Sequence, residues 1–108
     1  MPKYLFIFRH STDPKTRPSP EELQELGGQW YAWMQKFSAS ILPGGDGLKP
    51  GGRLVRAGIV SDGPYVEAKE FVASFTLIQA DNYEAAVAIA RECPGDNVIE
   101  IRELGGYA

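Results

Sequence analysis

Two segments of this chain, Tyr4–Phe8 and Phe71–Ala80, carry apolar side chains at neighbouring positions rather than at alternate ones. An extended chain turns successive side chains to opposite faces of a sheet. Tyr4, Phe6 and Phe8 therefore point one way and Leu5 and Ile7 the other, while Phe71, Phe75 and Leu77 oppose Val72 and Ile78 in the same manner. Strands of this kind belong at the centre of a sheet and need cover on both faces. Arg9-His10-Ser11-Thr12-Asp13-Pro14 follows the first of them as a polar loop.

The rest of the chain supplies cover for one face. Ser19-Pro20-Glu21-Glu22 has the parts of a helix start: Ser19 to cap, Pro20 for the first turn, and Glu22 to complete a capping box. Leu23, Leu26, Trp30, Trp33, Met34, Phe37 and Ile41 then recur at helical spacing, with Gly27-Gly28 inside the helix as a point of close packing or bending. Pro43-Gly44-Gly45-Asp46-Gly47 and Pro50-Gly51-Gly52 punctuate the next stretch; Arg53–Ser61 reads as a strand and Asp62-Gly63-Pro64 as a turn. Asp81 caps a second helix whose apolar face is Tyr83, Ala86, Val87 and Ala90, and Pro94-Gly95 ends it. Asn97–Glu103 alternates Ile99 and Ile101 with charged neighbours, as a half-exposed strand does.

The order is β-α-β-β-α-β, the split βαβ pattern of an α+β, ferredoxin-like fold. In that topology the first and third strands are central, and these are the two apolar ones. Both helices cover the same face of the sheet. The opposite apolar face then needs a further layer, which a second copy in a C2 homodimer supplies most simply.

A chain of 108 residues forms one domain, 1–108. The net charge is −3 and the basic residues are scattered, which speaks against nucleic acid as a partner. Tyr4–Phe8 is too short for a signal-peptide core or a membrane span. A single cysteine, Cys93, forms no internal disulfide, so a cytoplasmic address is expected. One His and one Cys without close spacing make no metal site. Gly44-Gly45-Asp46-Gly47 lacks the Lys-Ser/Thr of a phosphate-cradling loop, and no cofactor is expected.

The candidate chemistry lies at strand ends. His10, the only histidine, can act as an acid or base near neutral pH or simply bond to backbone. Arg9 beside it offers a planar fork for an anion, or pairs with a surface acid. Asp62 can orient a proton or hold a turn, and Lys69 lies in the charged run after it. Trp30 belongs to the helical stripe; facing a cleft, it makes an apolar wall for a ring-shaped ligand.

Asp62-Gly63-Pro64-Tyr65, followed by Val66-Glu67-Ala68-Lys69-Glu70, resembles the signature of the DGPF-domain family, part of the wider YCII-related group, with Tyr65 where phenylalanine is usual. The likeness extends to the first strand, the Ser-Pro-Glu-Glu helix start, Gly45-Asp46-Gly47-Leu48 with Pro50, and Cys93-Pro94. It implies a bacterial, cytoplasmic protein of dimeric α+β barrel type, and some members look like companions of extracytoplasmic-function sigma factors. The YCII branch is associated with a His-Asp pair. The first helix here has no histidine, and Cys93 stands at the aspartate position, so that pair is absent.

Three functions follow as expectations. One is a non-catalytic dimer that binds a small ligand or regulates, with Arg9, Trp30, Tyr65 and Lys69 as contacts. Another is a small enzyme that uses His10 as acid/base with Asp62 on an organic anion. The third is a protein-interaction module linked to sigma-factor regulation.

Overall fold

Tyr4, Phe6 and Phe8 are 1%, 0% and 2% exposed, and the chain is organised around them. The computed structural model describes residues 1–63 and 69–107. They form β1 (Lys3–Ser11), a 3-10 turn (Pro14–Thr16), α1 (Pro20–Lys36), β2 (Ile41–Gly47), β3 (Gly52–Arg56), β4 (Ile59–Gly63), β5 (Glu70–Gln79), α2 (Tyr83–Arg91) and β6 (Val98–Glu103). The molecule is α+β. Four strands make an antiparallel sheet in the order β2-β5-β1-β6, while β3 and β4 form a separate two-stranded ribbon.

The apolar strands β1 and β5 are the central pair, as their composition predicts. Cross-strand partners share a face, so Tyr4 with Ile78 and Phe6 with Ile101 lie on the helix-covered side. Trp33 of α1 and Ala86 and Ile89 of α2 close over them. Each buried aromatic contributes about 1.5–3 kcal/mol. On the other side Leu5 lies across from Leu77 and Arg102, and Ile7 from Phe75 and Glu100. Those apolar residues are only half-buried. The two faces therefore differ: one carries the core, and among the described residues no helix covers the other.

Both helix starts are capped locally. Ser19 Oγ accepts the Glu22 N–H and Glu22 Oε1 accepts the Ser19 N–H, each at 3.2 Å, completing the capping box. The second cap is Asn82 rather than Asp81: Asn82 Oδ1 accepts the Ala85 N–H at 2.8 Å, which places the helix one residue later. Trp33 Nε1 donates to the Ile89 carbonyl at 3.1 Å and joins the two helices.

The middle of the chain departs from its sequence reading. Arg53–Ser61 is not one strand: it reverses at Ala57 (φ 49°) and Gly58 (φ 78°), both left-handed, to make the β3–β4 hairpin. Asp62 and Gly63 are ladder residues opposite Arg53 and Gly52, not a turn, and Pro64 lies outside the described residues. The strand beside β5 is Ile41–Gly47, so Ile41 starts a strand instead of ending the helical stripe. Proline and glycine are tolerated there because β2 is an edge strand carrying an irregularity.

Other differences are smaller. Arg9-His10-Ser11 continues β1, drawn out by pairing with Val72, Phe71 and Glu70 after a bulge at Phe8/Arg9. Leu23 and Met34 are exposed at the edges of the α1 stripe. A Cβ at Gly27 or Gly28 would meet nothing within 4 Å, so no close packing explains that pair.

Candidate functional site

Helix α1 crosses the covered face of the sheet beside β2, and the space between them is a cleft of about 490 Å³. Trp30 and Trp33 are three residues apart, so one helical face presents both indoles to the sheet. The Trp30 ring meets Phe8 edge to face at 5.5 Å (84°) and Trp33 at 5.5 Å (82°). Met34 continues the wall, while Phe8, Ser74 and Thr76 supply lining from the sheet. The Trp33 N–H is occupied by the Ile89 carbonyl. The Trp30 N–H makes no hydrogen bond among the described residues.

The rim comes from β2. Between its pairings Leu42 with Leu77 and Asp46 with Phe75, β2 advances four residues while β5 advances two. Pro43-Gly44-Gly45 thus lie opposite Thr76 alone, and the backbones come so close that a Cβ on Gly45 would stand 2.7 Å from the Phe75 carbonyl oxygen and 2.9 Å from Thr76 Cα. Asp46 Oδ1 accepts the N–H of Gly47 at 2.7 Å. A mostly apolar hollow with a few polar groups is the form of a small-molecule site.

The sequence-predicted site residues are dispersed. Trp30 lines this cleft. His10 is exposed near the end of β1, its ring edge-on to Phe71 at 5.9 Å. Arg9 points to the helix-free face, where its Nη2 and Nε donate to Glu100 Oε1 at 2.9 and 3.3 Å. Glu100 Oε2 accepts from Arg102 Nη1 at 3.3 Å. The hydrogen bond from Arg9, then that from Arg102, hold the Glu100 carboxyl below its ordinary pKa. Asp62 lies on the separate hairpin, exposed, across from Arg53. No hydrogen bond joins His10 to Asp62 among the described residues. Lys69 is exposed and its carbonyl accepts the Thr12 N–H at 2.9 Å. Tyr65 lies outside the described residues.

The residues that sequence reasoning missed are Phe8, Met34, Ser74, Thr76 and the β2 rim. Tryptophans at three-residue spacing beside a glycine-rich strand were the available signal. Cys93, half-buried at the end of α2, has its thiol pushed up to about 12 by burial, so it is no thiolate nucleophile near neutral pH. Among the described residues there is no cluster of three or more metal-ligating side chains, and no helix is long and apolar enough to cross a membrane.

No curated protein matches the sequence. The family profile described as YCII-related domain matches residues 5–104, from β1 through both helices to the end of β6. Carried by that match over nearly its whole length, the chain belongs to the YCII-related family.

Proposed function

We propose that this chain is a cytoplasmic, ferredoxin-like βαββαβ protein that pairs as a dimeric α+β barrel and holds a small organic molecule without transforming it, as a binding or regulatory protein. The observation that carries the reading is the aromatic cleft between α1 and β2, walled by Trp30, Trp33 and Phe8. The sheet order β2-β5-β1-β6, with the β3–β4 ribbon set aside, supports the fold. The half-buried helix-free face of Leu5, Ile7, Phe75 and Leu77 supports the dimer, because a second copy would complete its burial. The dispersal of His10, Arg9 and Asp62 over different faces and sheets favours binding over acid/base chemistry.

Benzyl alcohol, a small neutral ring, tests the cleft. Titrated into labelled protein, it should shift the Trp30 indole N–H resonance and quench tryptophan fluorescence. Trp30→Leu should weaken that binding, whereas substitution of the exposed Tyr31 should not. A probe that leaves the Trp30 signal in place removes the reading. Light scattering at micromolar concentration should give twice the chain mass; a value near 11.9 kDa removes the dimer.

A further inference from the structure

We propose that two copies stack by their helix-free faces with the β2 edge of each over the β6 edge of the other, so that Asp46 of one copy meets the Arg9–Glu100–Arg102 cluster of its partner. This rests on the dimer reading above and adds the orientation and the contacts that fix it. The cross-strand registers place the groups. Glu100, Ile7, Phe75 and Asp46 are successive partners and form one row on the helix-free face, from β6 through β1 and β5 to β2. The next row is Arg102, Leu5, Leu77 and Leu42. The middle of each row is apolar, and the charges sit at the ends.

The two edges differ in sign. At β6, Arg9 and Arg102 both donate to Glu100, so two guanidinium groups share one carboxylate and a positive charge is left over. The Arg102 side chain is 69% exposed, open to a group above the sheet. At β2, Asp46 is exposed; its Oδ1 accepts the Gly47 N–H, and no cation pairs with it among the described residues. Lys3 and Glu70 belong to the central strands, at opposite ends of the β1–β5 ladder, and give neither edge a sign.

The chain also has surface to spare. A folded monomer of 11.9 kDa exposes about 6,000 Å². This chain exposes 8,225 Å² and is a slab of 44 × 41 × 21 Å. The excess of roughly 2,200 Å² is larger than the share of about 800 Å² that each partner buries in a standard interface. Two sheets stacked about a two-fold axis can be related in two limiting ways. With the axis across the strands, β6 lies over β6 and β2 over β2, and like net charges face each other. With the axis along the strands, each Asp46 meets the partner's surplus positive charge, and symmetry makes that contact twice. Opposed like charges are costly, so the second arrangement is the one these edges select.

Charge reversal tests it, read as the dimer Kd by sedimentation in low salt, with circular dichroism to confirm the fold. Asp46→Lys makes both edges positive, and Arg102→Glu makes both negative. Each should raise the Kd about tenfold or more, because two contacts per dimer turn from attraction to repulsion. Both substitutions in one chain invert the two edges together and should return the Kd to within about threefold of the parent value. Asp46→Asn, which keeps an oxygen for the Gly47 N–H, should act in the same direction by less, and added salt should shrink all these differences. Single variants that dimerise like the parent would mean that edges of opposite sign do not meet, and this orientation would fall while the dimer stands. Weakened single variants with no recovery in the combined one would overturn it as well. A parent chain that sediments at 11.9 kDa removes the dimer reading itself, and this inference with it.

Discussion

Gly45→Ala tests how the cleft is built. A Cβ at this position would lie 2.7 Å from the Phe75 carbonyl oxygen and 2.9 Å from Thr76 Cα. Both are backbone atoms of the central strand β5, held on their other side by β1, so β5 cannot yield and β2 must move outward. Overpacking of this kind costs about 1–3 kcal/mol. Against it stands the lower entropy of alanine in the unfolded chain, about 0.4–1 kcal/mol. The net loss should be about 1–2 kcal/mol. For 108 residues, with an unfolding entropy of about 0.23 kcal/mol per kelvin, that lowers Tm by roughly 4–9 °C. Gly47→Ala is the control, since a Cβ there meets nothing within 4 Å and the residue has no positive φ. It should be neutral or slightly stabilising. Both variants are to be melted at one protein concentration and followed by circular dichroism, and both titrated with benzyl alcohol. Gly45→Ala should also change the Trp30 shift at saturation, because the rim has moved. Equal melting temperatures for the two variants would refute the close contact between β2 and β5 and, with it, the account of the rim.

Three further perturbations follow from local geometry. Ser19→Ala removes one half of the capping box and should cost about 1 kcal/mol, or roughly 4 °C in Tm; an unchanged melt places the cap elsewhere. Glu100 is held below its ordinary pKa in the folded chain, so its contribution is fully present above the unfolded value of about 4.3 and is lost as pH falls through the folded value. Urea midpoints measured from neutral to acid pH should therefore fall less steeply in Glu100→Gln than in the parent, and parallel curves would contradict the Arg9–Glu100–Arg102 cluster. With its thiol at about 12, Cys93 should react with iodoacetamide at pH 8 at least about a hundredfold more slowly in the native protein than in urea, and similar rates would mean that the site opens readily.

What the sequence discloses about this fold follows the range over which each feature is determined. The Ser19–Glu22 box is set by four consecutive residues, and it forms as read. The central placement of β1 and β5 follows from side-chain chemistry, which dictates burial whatever the connections. β2 is different. Pro43, Gly44 and Gly45 favour turns by local preference, and the segment is a strand because β5 offers it hydrogen bonds. The β3–β4 turn was hidden for another reason: Ala57 takes a left-handed conformation that alanine seldom adopts, so nothing in its identity marks the reversal. The site divides along the same line. Trp30 is legible from helical spacing, whereas the rim depends on how an edge strand is stretched along its neighbour. Arg9 and His10 are adjacent in sequence, yet the pleat of β1 sends them to opposite faces.

The separate hairpin has a consequence for how this chain can vary. Its ladder closes at Gly52 and Gly63, which face each other, and a Cβ on Gly63 would come within 3.1–3.2 Å of the Arg53 and Gly52 backbone. Neither β3 nor β4 shares a ladder with the four-stranded sheet. Residues added or removed in pairs about Ala57-Gly58 would lengthen or shorten this limb while every register over the core stays as it is. The limb is thus a natural graft point: an epitope or a reporter peptide inserted at its tip would ride outside the folding unit, and the pairings that set the cleft would not feel it.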